Sequence, residues 1–316
     1  MEQLRFGILS TSSIAPRFIA AVRAAEAGEL VALSSRTLEK AREKAAAWGI
    51  PTAYGSHEEL LQDGRVNVVY ISTVNAQHYP WAKAALEQGK HVICEKPCTT
   101  TQAQTRELFA LAREKGLFFM EAEKMLFLPA VLELRSRIEQ GCLGQIYMAE
   151  MAHSFQATYN NWMFDQSCGG GPLLSSGIYA VQLILYLFGG IAQIQGVKSS
   201  LEDGTEWQYV LSGKTESGVL FNAKNSTRAV LDNTARFFGT KGWAELPEYW
   251  KAQKVIFHVD GKTEVLSFPC QHELIYEVRH LVDCMKEGRI TSPVVTEEIS
   301  AGGIAAIETV KQQWER

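Results

Sequence analysis

The chain has 316 residues, 31 basic and 35 acidic side chains, a formal net charge of −4, and a composition 46% hydrophobic and 21% charged. This is ordinary for a globular protein of about two domains, and without a basic run it excludes a nucleic-acid partner. Six cysteines (Cys94, Cys98, Cys142, Cys168, Cys270, Cys284) include no Cys-x-x-Cys pair and no second pair to complete a zinc site, so no metal is expected and the thiols read as reduced in a cytoplasmic protein.

The amino terminus leads into a strand at residues 4–9 with no apolar signal core. Ser10-Thr11-Ser12-Ser13-Ile14-Ala15 follows, and Ile14, Phe18 and Val22 then recur at helical spacing. A second strand, 30–33, is closed by Ser34-Ser35-Arg36-Thr37, and Thr37 is placed to cap a helix over 38–48. Ser56-His57-Glu58-Glu59 has capping-box form. Residues 66–71 read as a buried strand, Ser72-Thr73-Val74-Asn75 as the loop after it, and 79–88 as a helix. The next strand ends in Glu95-Lys96-Pro97, before a helix over 101–115 and a strand over 117–122.

Alternating strands and helices point to βαβ units on a parallel sheet, whose strand ends open onto the ligand crevice. Proline disfavours helix at the residue before it, so Lys96 should leave its strand extended towards that crevice. A first turn of small residues offers backbone N–H groups to a pyrophosphate. Ser10, Ser12 and Ala15 stand where Gly-x-Gly-x-x-Gly is usual, so an ordinary serine N-cap is an equal reading of the turn alone. After the second strand an acid would meet the ribose 2′-hydroxyl; Arg36, with Ser35 beside it, suits a 2′-phosphate and favours NADP over NAD.

Beyond Ala122 the pattern changes. A helix over 129–140 and a long strand over 146–157 precede an uncharged stretch, 166–197. Its unbroken helical part, 173–188, is shorter than the ~20 residues that span a bilayer, and reads as a buried helix. Seven further strands up to residue 267, many separated by turns such as Asp203-Gly204 and Asp260-Gly261, predict a large, mostly antiparallel open sheet. Helices over 274–287 and 297–314 close the chain. The expected fold is therefore α/β: a Rossmann dinucleotide-binding domain, 1–123, and an α+β domain, 124–316, with its last helices packing back.

Several ordered landmarks resemble the Gfo/Idh/MocA family of oxidoreductases: Ser72-Thr73-Val74-Asn75 with His78, Glu95-Lys96-Pro97, Gly169-Gly170-Gly171 through Tyr179, Gly239-Thr240-Lys241-Gly242, and residues 288–293. Ala53-Tyr54-Gly55-Ser56, Phe119-Met120-Glu121-Ala122 and Gly177-Ile178-Tyr179 are similar to its dihydrodiol dehydrogenase and NADP-linked xylose dehydrogenase branch. The resemblance implies hydride transfer between NADP and a hydroxyl carbon of a sugar, polyol or dihydrodiol. It implies Lys96 and Tyr179 as the catalytic pair, and Ser10, Thr11, Ser12, Ile14, Ser35, Arg36, Thr73, Asn75, His78, Glu95 and Lys96 along the cofactor. Trp162, Asp165 and Ser175 are substrate candidates, although Trp162 and Asp165 read equally as loop anchors. The family also implies a homodimer or homotetramer through the open sheet face. Two departures stand out: Ser175 where many members carry Asp, and Glu123-Lys124 where the branch has apolar and aromatic residues.

Lysine's ordinary pKa of ~10.4 is too high for a proton acceptor at neutral pH, and burial near a positive ring would lower it. Ionised Glu95 would work the other way and is expected to turn aside towards cofactor or backbone. Tyr179 then acts as acid/base or as a hydrogen-bond donor, against the plainer reading of a core helix tyrosine. The rival function is a dinucleotide sensor without turnover.

Overall fold

In a computed structural model, residues 3–159 and 161–315 are described. The chain divides into two compact units, one of residues 1–123 and 272–297, the other of 124–271 and 298–316.

The first unit runs β1 (Arg5–Leu9), α1 (Ala15–Ala24), β2 (Glu29–Ser34), α2 (Leu38–Trp48), β3 (Thr52–Tyr54), α3 (His57–Gln62), β4 (Val68–Ile71), α4 (His78–Glu87), β5 (His91–Glu95), α5 (Gln102–Lys115) and β6 (Phe119–Ala122). The six strands are all parallel, in the order β3-β2-β1-β4-β5-β6, so the order reverses between β1 and β4. Local chemistry sets the helix ends. Thr37 Oγ1 accepts from Lys40 N at 3.4 Å and Gly49 closes α2 in the left-handed region. Thr101 and Gly116 do the same for α5, and Ser56 Oγ caps α3 through Glu59 N at 3.2 Å. β3 is a short half-buried edge strand that the apolar pattern does not announce.

The expected division assigned residues 124–316 to the second domain with the last helices packing back; residues 272–297 belong to the first unit outright. The chain returns: α8 (Ile275–Lys286), which follows the second sheet in sequence, packs on α1 within the first unit. The segment after it lies along β6, where Phe119 N donates to Ile290 O at 3.0 Å. That occupies an edge which would otherwise expose unpaired backbone groups.

The second unit contains α6 (Pro129–Glu139), β7 (Ile146–Ser154), α7 (Ile178–Phe188), β8 (Ile191–Ser200), β9 (Glu206–Thr215), β10 (Leu220–Ser226), β11 (Thr234–Gly239), β12 (Gly242–Pro247), β13 (Lys254–Val259) and β14 (Lys262–Ser267). Helix α9 (Glu297–Trp314) belongs to it from residue 298 onward. Its sheet has the order β14-β13-β12-β11-β7-β10-β9-β8. Pairing is antiparallel except between β7 and β10, which run parallel. Inward residues such as Phe237, Ala235 and Leu211 are fully buried, and α7 packs among them. Helix α9 is tied to β8 by Trp314 Nε1 to Gly196 O (2.8 Å) and Gln313 Nε2 to Ile194 O (2.9 Å). Among the described residues one stretch, Gln166–Phe188, is long and apolar enough to cross a membrane, but 83% of its most apolar window is buried inside the protein. It is the core helix of this unit.

Candidate functional site

In the first unit the loops after β1 and β4 meet where the strand order reverses. Ser12 Oγ donates to Ser72 Oγ at 2.8 Å. The serines do not cap α1: its N-cap is Ile14, with no side-chain bond, and Pro16 sits in the first turn. Nor do the backbone N–H groups of Thr11, Ser12, Ser13 and Ile14 make a hydrogen bond among the described residues. A row of unspent donors at a helix amino end fits a pyrophosphate, so the N-cap reading gives way. Ser10, in the first glycine place, has φ 115°, a value that favours glycine. The residues present thus fit a dinucleotide, with the backbone demand of the glycine motif kept and its side chain changed.

At the end of β2, Ser35 is buried and its N–H donates to Tyr54 O at 3.2 Å. Arg36 is exposed, with no ion pair among the described residues. Its charge reaches His57, whose pKa is lowered chiefly by burial and further by Arg36.

Lys96 follows β5 and precedes a cis bond to Pro97. The lysine is half-buried. Burial holds its amine below the ordinary lysine range, opposed by Glu95, Glu123 and Glu121. Glu95 meets a tyrosine: Tyr70 Oη donates to Glu95 Oε1 at 2.6 Å. Tyr70 is fully buried, and its ring stacks on Phe18 with centroids 3.7 Å apart. Burial pushes the Tyr70 phenol up, so it remains a donor.

His78, expected along the cofactor, is buried with both ring nitrogens against carbonyls. Nδ1 lies 2.8 Å from Pro97 O and Nε2 lies 3.1 Å from Thr73 O. It therefore ties the β4 loop to the β5 loop instead of presenting a nitrogen to a ligand. Burial lowers its pKa, and a neutral ring donates to one carbonyl at a time. Asn75 is buried in the same turn, and Thr73 is half-buried.

Two residues that the motif reading named but gave no role belong to this region. Glu121 and Glu123 are both fully buried, and Glu121 Oε1 accepts from Cys98 N at 2.9 Å. Their signal was present in the sequence: an acid within an otherwise apolar strand and a second just after it, where the chain turns and Glu123 N donates to Glu121 O at 2.9 Å.

The second unit holds the remaining candidates. Tyr179 is buried, in the first turn of α7. A π-helical turn, Leu173–Gly177, precedes it and carries Ser175, also buried, whose N–H donates to Gly171 O at 3.0 Å. Glu206 from β9 closes this turn, its carboxylate accepting from Leu173 N at 2.8 Å. Gly171 has φ 109°, and a Cβ there would run into the Glu206 carboxylate, so the glycine is required by both backbone and space. Asp165 is an anchor of its own turn: Oδ1 accepts from Ser167 N (2.8 Å) and Ser167 Oγ (2.6 Å). These bonds hold its carboxyl below the usual range. Trp162 is 42% exposed one short turn earlier. Ser176 belongs to a further polar chain, with Asn225 Nδ2 3.0 Å from Ser176 Oγ and 3.1 Å from His153 Nδ1. Among the described residues no group of three or more His, Cys, Asp or Glu is arranged to hold a metal ion.

Two family profiles match the chain: the Gfo/Idh/MocA oxidoreductase family, NAD-binding Rossmann fold, over residues 4–123, and the Gfo/Idh/MocA C-terminal domain over 131–245. Trans-1,2-dihydrobenzene-1,2-diol dehydrogenase of Mus musculus is 34% identical over 305 residues, covering 92% of this chain and 91% of that one. The enzyme of the same name from Bos taurus is 35% identical over 305 residues with the same coverage. Among solved structures, aldose-aldose oxidoreductase from Caulobacter crescentus, complexed with glycerol, superposes with a TM-score of 0.89 at 25% identity, covering 99% of this chain and 98% of that one. Levoglucosan dehydrogenase with NADH and levoglucosan gives 0.90 at 18%, covering 99% and 98%. The 3-ketoreductase KijD10 from Actinomadura kijaniata with NADP gives 0.90 at 23%, covering 98% of each chain.

Proposed function

Since this chain belongs to the Gfo/Idh/MocA oxidoreductase family and is an NAD(P)-dependent dehydrogenase, we propose that it uses NADP to oxidise a hydroxyl carbon of a sugar, polyol or dihydrodiol. The observation that carries this reading is the Lys96 amine, set at the end of β5 and held below the ordinary lysine range by burial. When bound, the nicotinamide supplies the hydride acceptor. The chain's own residues handle the proton. Lys96 in its neutral form takes the hydroxyl proton, directly or through Tyr179, and Tyr179 otherwise donates a hydrogen bond to the carbonyl oxygen. Tyr70 holds one oxygen of the Glu95 carboxylate, the charge that most favours the ammonium form, so the amine stays below its ordinary range because burial outweighs it.

The preference for NADP rests on Arg36, a free guanidinium after β2 where a ribose-binding acid would otherwise stand. The dihydrodiol and sugar substrates named for the relatives set the panel to be tried. Exposed Met148, Leu220 and Trp243 on the second sheet support pairing of that face with another copy, as a dimer or tetramer.

The decisive variant is Lys96→Ala. Turnover on the panel should vanish while NADPH fluorescence still reports binding; a near-normal rate refutes the assignment. Arg36→Ala should raise the KM for NADP and leave that for NAD almost unchanged. NADPH binding by the natural chain with no turnover across the panel would favour the sensor, a reading to which Ser175 in place of aspartate lends weight.

A further inference from the structure

The strands β5 and β6 pair in parallel with Cys94 opposite Glu121 and Glu95 opposite Ala122. Lys96 and Glu123 come next, so they leave neighbouring strand ends side by side. The loop that Lys96 opens is fastened to β6 two residues later, by Cys98 N on the Glu121 carboxylate. Glu123 is fully buried.

We propose that Glu123 is a positioning residue for Lys96, its buried carboxylate standing beside the amine and stabilising the ammonium that forms when the amine takes the substrate's proton. This rests on the reading of Lys96 as the proton acceptor. In that step the substrate O–H bond breaks and an Nζ–H bond forms, so a positive charge appears at a half-buried nitrogen. An ammonium without a counter-charge is expensive away from water, and a fixed carboxylate offsets that cost.

Charged and titratable groups that act on Lys96 or feel its charge stand on β5, on and just after β6, and on α4. Glu95 lies on its own strand, with one carboxylate oxygen held by the Tyr70 hydroxyl. Glu121 stands on β6, with one oxygen on Cys98 N, and Glu123 just after it. His78 on α4 feels the Lys96 charge, and burial favours its neutral form. Glu123 acts on Lys96 more strongly than Glu121 does.

The test is the Lys96 titration in the full chain, read by NMR of 13C-labelled lysine and assigned with Lys96→Arg. In Glu123→Gln the midpoint should fall by at least about one pH unit, a tenfold change in proton concentration, because the ammonium loses its neighbouring charge. In Glu123→Asp, which keeps the charge one methylene further back, it should fall by less. The acid limb of kcat/KM should move to lower pH in the same order, a change that a merely structural carboxylate would not produce. An unmoved midpoint in Glu123→Gln overturns the proposal. If circular dichroism shows that variant unfolded, Glu123→Asp decides, and a midpoint equal to that of the natural chain overturns it. The two readings fail separately. A turning-over Lys96→Ala removes the catalytic assignment whatever the NMR shows, whereas an inert Lys96→Ala with an unmoved Glu123→Gln midpoint removes only Glu123.

Discussion

Ser10 is the residue whose replacement tests the nucleotide turn most directly. Its φ of 115° lies where a Cβ is crowded by the backbone, and L-residues pay roughly 1–2 kcal/mol for left-handed conformations. Glycine removes that crowding. It also loses more freedom on folding, which takes back about 0.5–1 kcal/mol. No hydrogen bond of the Ser10 side chain occurs among the described residues, so nothing else is forfeited. Its N–H still donates to Ser34 O at 3.2 Å, a bond that glycine keeps. Ser10→Gly should therefore stabilise the first unit by about 0.5–1 kcal/mol. For a unit of this size that is a rise of roughly 1–4 °C in Tm. Thermal unfolding of the cofactor-free chain by circular dichroism measures it, and an NADPH fluorescence titration should show a Kd no weaker than that of the natural chain. A Tm lowered by a degree or more would mean the hydroxyl contributes something this geometry does not contain. A Kd weakened several-fold would mean the turn does not meet the pyrophosphate through its backbone.

Tyr70→Phe removes the donor 2.6 Å from Glu95 while keeping the ring stacked on Phe18. A hydrogen bond to a charged group contributes about 1.5–3 kcal/mol, so Tm should fall. The released carboxylate should also favour charged Lys96 and move the acid limb of kcat/KM to higher pH, opposite in sign to Glu123→Gln. An unchanged Tm and profile would remove Tyr70 from the site. Burial lowers the pKa of His57, His78 and His280 below the ordinary histidine value of about 6.5. The unfolded chain then binds more protons than the folded one as pH falls, so stability present above pH 6.5 is lost through the lower folded values. Tm measured from pH 7.5 to 5 should decline, and His78→Gln should flatten part of that decline; a flat natural curve contradicts the burial of these rings.

The parts of this molecule that were legible in advance are those fixed by neighbours in sequence. Thr37, Ser56 and Thr101 each cap the helix that follows, and Gly49 and Gly116 each end one, because capping bonds span only a few residues. The apolar runs of β1, β4 and β5 are fully or nearly fully buried strands, and such runs need no partner to be recognised. β3 lacked that signal, being three half-buried residues whose only support is pairing with β2. The return of residues 272–297 to the first unit is a matter of which edge they cover, and nothing local encodes it. The site divides in the same way. Lys96 was visible because a proline marks it, but its electrostatic setting comes from positions 25 or more residues distant: Tyr70 holding Glu95, and β6 bringing Glu121 and Glu123 alongside. Even so, Glu-Ala-Glu at the end of a parallel strand and just beyond it is a legible anomaly. Parallel strands are buried on both faces, so two buried acids at a strand end cost more than folding alone would justify. Here one of them, Glu121, accepts from Cys98 N at 2.9 Å, and the charge of both acts on the lysine that follows the adjacent strand.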